Sequence, residues 1–321
     1  MTSRLFLIDT DTASDDAVAL IMALRSPGVR VVAITTVAGN VDLRQATQNA
    51  LYTVELCQAE VPVFAGAAKP LCRPHIDASW FHGRDGLGDH GYVTSRQPED
   101  QHAVDALIQI VEANPGITLV TLGPLTNVAL AVASRPAIVD KIGRSVIMGG
   151  NPCCVGNVTP AAEFNIWADP EAARVVTRSG LKAELIGWHL CREDAALSAS
   201  DIDLVLGLGT DRARFAIDCN SRARQAYLKQ SGEDGIALPD PIAMAVALDV
   251  TVGIDWSEHY VDVETASELT RGMTVVDGLN VSGDERNKDV WGPLLETASK
   301  TKVCWTIDNK RWKEELYSAL K

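Results

Sequence analysis

Apolar residues fall along this chain in two alternating rhythms. Short runs rich in β-branched residues read as strands: Leu5 to Ile8, Val29 to Val37, Val61 to Phe64, Ile117 to Leu122, Ser145 to Met148 and Glu184 to Ile186. Longer amphipathic stretches lie between them and read as helices. One opens at the acidic turn after Ile8, and others run over Leu43 to Leu56, Ala103 to Glu112 and onward from Thr126. A further helix has a clear start, with Asp169 at the N-cap, Pro170 in the first position and Glu171 behind it. Strands alternating with helices predict an α/β fold: an open, mainly parallel sheet with helices on both faces. Beyond residue 190 the rhythm weakens. Helices are expected at about 199–206 and 211–229 and again up to Leu248, then strands at 259–264, 273–277 and 302–307, and a last helix. No repeat, low-complexity tract or linker breaks the chain, so one domain over 1–321 is expected.

The turns after the candidate strands are polar and glycine-rich: Gly39-Asn40, Gly123 to Asn127, Gly149-Gly150, and Gly156-Asn157 leading on to Glu163-Phe164-Asn165. Any tight turn uses Gly and Asn. A run of such turns, each after a candidate strand, instead favours one shared site, because an open α/β sheet collects its ligand at the carboxyl ends of its strands.

Composition narrows the partners. The formal net charge is −13 and no basic cluster stands out, which argues against nucleic acid or an anionic membrane surface. No segment approaches the roughly 20 apolar residues of a membrane span, and the N-terminal run lacks the features of a signal peptide. The seven cysteines are scattered without a CxxC or zinc-ligand spacing. Reduced thiols in a cytoplasmic protein are expected.

The most informative segment is Asp9-Thr-Asp11-Thr-Ala-Ser-Asp15-Asp16, four carboxylates at the mouth of a strand–turn–helix unit. Charges this close repel, and a helix N-terminus offsets only part of that; a hard cation offsets far more. An EF-hand is excluded, since Ala13, Ser14 and Leu20 stand where its loop needs other residues. His and Cys ligands for zinc are missing, which leaves calcium or magnesium. Asp11, Asp16 and a distant acid such as Asp240 can supply oxygens, and a backbone carbonyl near Thr126 another. A carboxylate touching both metal and water can act as general base. A second set, Asp15, Asn157, Glu163 and Asn165, suits a polyhydroxylated ligand such as a sugar. Together these groups suggest hydrolysis at an anomeric carbon.

The DxDxxxDD turn, Thr35 to Asn40, His82-Gly83-Arg84-Asp85-Gly86-Leu87-Gly88, Gly123 to Asn127, Met148-Gly149-Gly150 and Glu163-Phe164-Asn165 occur in one order along the chain. In these motifs the chain resembles the nucleoside hydrolases of the inosine-uridine-preferring superfamily over nearly its whole length. The resemblance implies that family's Rossmann-like fold and one tightly held Ca2+ whose ligands would be Asp11, Asp16, the Thr126 carbonyl and Asp240. Asp11 would also be the general base. Asp15 and Asn165 would bind the ribose 2′- and 3′-hydroxyls, Asn157 and Glu163 the 5′-hydroxyl, and Asn40 another ribose- and water-side position. Asp9 would support the turn. The implied substrate is a ribonucleoside, cleaved to ribose and free base in purine or pyrimidine salvage, and the implied assembly a homodimer or homotetramer.

The chain also departs from the family. A histidine often precedes the last metal aspartate in relatives active on inosine and uridine, and here Pro239 stands there. Candidates for the base side are Trp80, Phe81 and His82 on the family's mobile rim, with Trp188, His189, Cys191 and Trp256. Two rival readings remain. A calcium- and ribose-binding protein of the same fold would have lost catalysis. A HAD-type phosphatase would use Asp9 as nucleophile and Asp11 as acid/base, but its distant acidic pair and lysine are not evident.

Overall fold

The computed structural model describes residues 3–287, 289, 290, 292 and 299–321. The predicted strands appear as β1 (Arg4–Thr10), β2 (Val29–Thr36), β3 (Val63–Ala65), β4 (Ile117–Thr121), β5 (Ile142–Met148) and β6 (Ala183–Ile186). Three more close the chain: β7 (Gly253–Val263), β8 (Thr274–Val276) and β9 (Lys300–Ile307). Among the described residues these nine form one sheet in the order β3-β2-β1-β4-β5-β6-β9-β7-β8. β1 to β6 and β9 run parallel; β7 is antiparallel to β9, and β8 to β7. The sheet is thus mainly parallel and open, with both faces covered.

Strand alternation divides the core. Phe6 and Ile8 face one apolar layer and Leu7 the other. On the first face lie α1 (Ser14–Arg25), α2 (Leu43–Leu56), α8 (Ala199–Gly207), α9 (Asp211–Asp218), α10 (Ser221–Ser231), α11 (Pro239–Leu248) and the C-terminal helix α12 (Asn309–Leu320). On the second lie α4 (Ala103–Ala113), α5 (Thr126–Ser134) and α7 (Pro170–Thr177). Two short helices, α3 (Ser79–His82) and α6 (Phe164–Ala168), sit in the loops at the carboxyl edge of the sheet. No helix among the described residues is long and apolar enough to cross a membrane.

Two expectations are corrected. The helix expected at 211–229 is two helices, broken where the Asn220 amide turns back to the carbonyls of Ala216 (2.9 Å) and Ser14 (3.3 Å). The strand expected from 259 begins at Gly253. Its first residues are partly exposed and follow no apolar run, and pairing with β9 extends them.

Candidate active site

β1 ends in Thr10, and α1 starts four residues later, so Asp11, Asp15 and Asp16 are carried on one turn at the carboxyl edge. Ala13 stands at the N-cap of α1 and has no side-chain oxygen. Asp16, the third residue of the helix, makes the reciprocal bond instead: its Oδ2 accepts from Ala13 N at 2.9 Å and its Oδ1 from Thr10 Oγ1 at 2.6 Å. Asp240 arrives from the far end of the chain, in the first turn of α11 behind Pro239. Carboxylate oxygens of Asp15, Asp16 and Asp240 lie within 4.8 Å of one another, all buried.

Asp11 sits next to this trio and is held from both sides. Its Oδ2 accepts from the Asn40 backbone N–H at 2.6 Å. The two glycine turns leave it room: a Cβ on Gly39 would stand 2.0 Å from its Oδ2, and one on Gly123 2.4 Å from its Oδ1. Gly39→Ala is therefore expected to displace Asp11. Overpacking of this kind costs about 1–3 kcal/mol. The expected result is a lower melting temperature together with a loss of turnover, whereas Gly28→Ala, whose nearest atom is 3.9 Å away, should change neither. Wild-type turnover and melting in Gly39→Ala would contradict the packing described.

Burial is the first cause that pushes the carboxyls of Asp11, Asp15, Asp16 and Asp240 above their ordinary range. Repulsion is the next for Asp11, Asp15 and Asp240, while hydrogen bonds from Thr10 and Ala13 oppose the rise at Asp16. Asp11 Oδ1 and Asp15 Oδ1 are buried without a hydrogen-bond partner. Unpaired buried oxygens and a donor set made only of oxygen fit a hard divalent cation. Thr126, the expected carbonyl ligand, opens α5 directly after the turn that Gly123 packs on Asp11; its hydroxyl donates to Asp169 Oδ2 at 2.6 Å.

Asp9 lies deeper. Its Oδ1 accepts from Thr35 Oγ1 at 2.5 Å and Asn127 Nδ2 at 2.8 Å. Burial lifts its carboxyl to about 7 against those two bonds. A fully buried group so engaged ties β1 to β2 and α5, and it is badly placed to attack a phosphoester.

The amide-bearing residues meet across one cleft. Asp15, Asn40, Asn157, Glu163, Asn165 and Asp240 line it. Glu163 caps α6: Oε1 accepts from Asn165 N at 2.9 Å, and Oε2 from Gly150 N at 2.7 Å and Ile166 N at 3.3 Å. Burial raises its carboxyl to about 7 against these three bonds. Asn165 Nδ2 donates to the Leu122 carbonyl at 2.7 Å, and Asn157 Oδ1 accepts from Phe164 N at 2.9 Å.

Of the base-side candidates, Trp80, Phe81, His82 and Trp188 line the cleft. Trp80 is 61% exposed, whereas Trp188 is buried. His82 Nδ1 lies 2.8 Å from Ser14 Oγ and 3.9 Å from Asp15 Oδ1, and burial pushes its ring down to about 3, so it is neutral at pH 7. His189, Cys191 and Trp256 do not reach the cleft. His189 Nε2 bonds the Cys304 carbonyl at 3.0 Å, and the buried Cys191 thiol donates to the Trp188 carbonyl at 3.1 Å. Trp256 stacks under Lys302 Nζ, 4.4 Å from the ring centre. The lining residues not anticipated from the sequence include Met148, Phe164 and Gln230. The first two sit inside recognised motifs, while Gln230, whose amide donates to the Asn157 carbonyl, lies on a polar helix with no motif.

A cleft at the carboxyl edge of an open parallel sheet, floored by buried acids, marks an α/β enzyme. Residues 6–314 match the family described as inosine-uridine preferring nucleoside hydrolase, and the chain belongs to it. It is an enzyme of the class that cleaves N-glycosidic bonds. The pyrimidine-specific ribonucleoside hydrolase RihB of Escherichia coli (strain SE11) is 36% identical over 299 residues, which cover 92% of this chain and 94% of that protein. Among solved structures, the plant nucleoside hydrolase PpNRh1 has a TM-score of 0.91 at 32% identity, with 99% of each chain covered. The purine-preferring ribonucleoside hydrolase from Gardnerella vaginalis has a TM-score of 0.87 at 29% identity, covering 99% of this chain and 98% of that one.

Proposed function

We propose that this enzyme is a calcium-dependent ribonucleoside hydrolase that releases ribose and a free base. The observation that carries the reading is the buried carboxylate group beneath a cleft lined by Asn and Glu side chains. Asp11, Asp16, Asp240 and the Thr126 carbonyl are the residues that would hold the ion, and bound calcium would lower the pKa of the attacking water. Asp11 takes the proton from that water. The Asn40 N–H fixes one of its oxygens, and Gly39 and Gly123 set its position. Asp15 and Asn165 receive the 2′- and 3′-hydroxyls, Asn157 and Glu163 the 5′-hydroxyl, with Asn40 beside the ribose and water. As the glycosidic bond breaks, positive charge grows on the sugar, and the surrounding carboxylates stabilise it.

A homodimer or homotetramer acting in cytoplasmic base salvage completes the proposal. The test is a reducing-sugar assay of the calcium-loaded protein on a broad panel of purine and pyrimidine ribonucleosides. Ribose release from at least one is expected; a panel with no release would overturn the reading.

A further inference from the structure

Two chemically matched side chains sit outside the cleft, on the antiparallel end of the sheet. β7 carries Ser257 and His259 two residues apart, so both project from one face. Ser257 Oγ lies 2.7 Å from His259 Nε2, and His259 Nδ1 lies 2.8 Å from the Asp277 backbone carbonyl. A carbonyl can only accept, so the proton of the neutral ring is on Nδ1. Nε2 is then an acceptor, and the Ser257 hydroxyl donates to it. On its other side Oγ accepts from Trp305 Nε1 at 2.6 Å, which fixes the serine rotamer. The carbonyl is held as well: the Asp277 carboxylate accepts from Val281 N at 2.8 Å and Ser282 N at 3.0 Å, which closes the turn after β8.

A hydroxyl giving its proton to an imidazole that a third group orients is the arrangement of an activated nucleophile. Such a nucleophile also needs room for a substrate. Ser257, His259 and Trp305 open onto a pocket walled by Val275, Val276 and Leu279. None of the residues lining it lines the cleft. His259 is only 7% exposed while Ser257 is half-buried, so the base is shielded and the nucleophile can be reached.

We propose that this pocket is a second, serine-dependent acyl-transfer site that cleaves neutral esters of short apolar acids. The apolar wall suits the acyl chain, and Asp255 and Asp277 in the pocket disfavour an anionic one. Ser257 Oγ bonds to the acyl carbon as its proton passes to His259 Nε2. The ester C–O bond breaks, and the departing oxygen takes that proton. Water then attacks the acyl carbon, gives a proton to Nε2 and displaces Oγ, which recovers the proton as the acid leaves.

The probes are an alkyl fluorophosphonate, which phosphonylates an activated serine with loss of fluoride, and p-nitrophenyl butyrate. Wild-type protein should take up one phosphonyl group, mapped by mass spectrometry to Ser257. General bases contribute roughly 10²–10⁴-fold, so p-nitrophenol release should fall at least about 100-fold in Ser257→Ala. A phosphonyl group on no residue, or on another such as the exposed Cys153, overturns the inference, and that readout needs no variant to fold. Hydrolysis unchanged in folded Ser257→Ala overturns it equally. Ribose release is read at the separate cleft, so the hydrolase reading stands or falls on its own.

Discussion

Asp11→Asn is expected to lower ribose release by at least about 1,000-fold, because one change removes the general base and an anionic metal ligand. The fold should survive it. Asn keeps the shape that Gly39 and Gly123 enclose, and its side-chain oxygen still accepts from the Asn40 N–H. Without metal the variant should melt at the wild-type temperature or above it, since burial and the neighbouring Asp16 and Asp15 disfavour a charged Asp11 carboxylate and Asn cannot carry that charge. Thermal melting in chelator separates the two effects. Near-normal turnover in Asp11→Asn would remove Asp11 from the mechanism, and a collapse in melting temperature would mean that its role is structural.

Asp240→Ala should weaken calcium retention by at least about 100-fold, because removing a direct ligand is worth more than removing a supporting one. The effect appears in stability as well as in metal content. An ion that binds only the folded chain adds about 2.7 kcal/mol at 100 times its dissociation constant. Wild-type protein should therefore melt higher as calcium is added, and Asp240→Ala should shift far less over the same range. Equal shifts in the two proteins would refute a ligand role for Asp240.

The parts of the fold that could be read in the sequence are those where burial is uniform. β1 is buried over its last five residues and β4 along its whole length, and both appear as short apolar runs. β7 is only half buried and its start left no such run. The break between α9 and α10 depends on an Asn220 side chain reaching Ser14, a contact made across 206 positions. No local pattern contains it.

The site divides in the same way. The acids and amides belong to turns with a chemical signature, and the chain folds them into one cleft. Trp188, His189 and Cys191 looked equivalent because they are near neighbours. They occupy a 3-10 helix, where successive side chains point about 120° apart, so His189 turns away to Cys304 while Trp188 lines the cleft; Cys191, one full turn after Trp188, is buried behind it with its thiol on the Trp188 carbonyl. Which neighbour points into the cleft is set by that helix, and the apolar pattern does not reveal it.

The central claim is that the buried carboxylates hold a calcium ion needed to break an N-ribosidic bond. Its most direct test is ribose release, measured on the best substrate of the panel before chelation, after exhaustive chelation, and after calcium is restored. Turnover should vanish with the metal and return with calcium. Full turnover from protein shown to be free of metal would contradict the account.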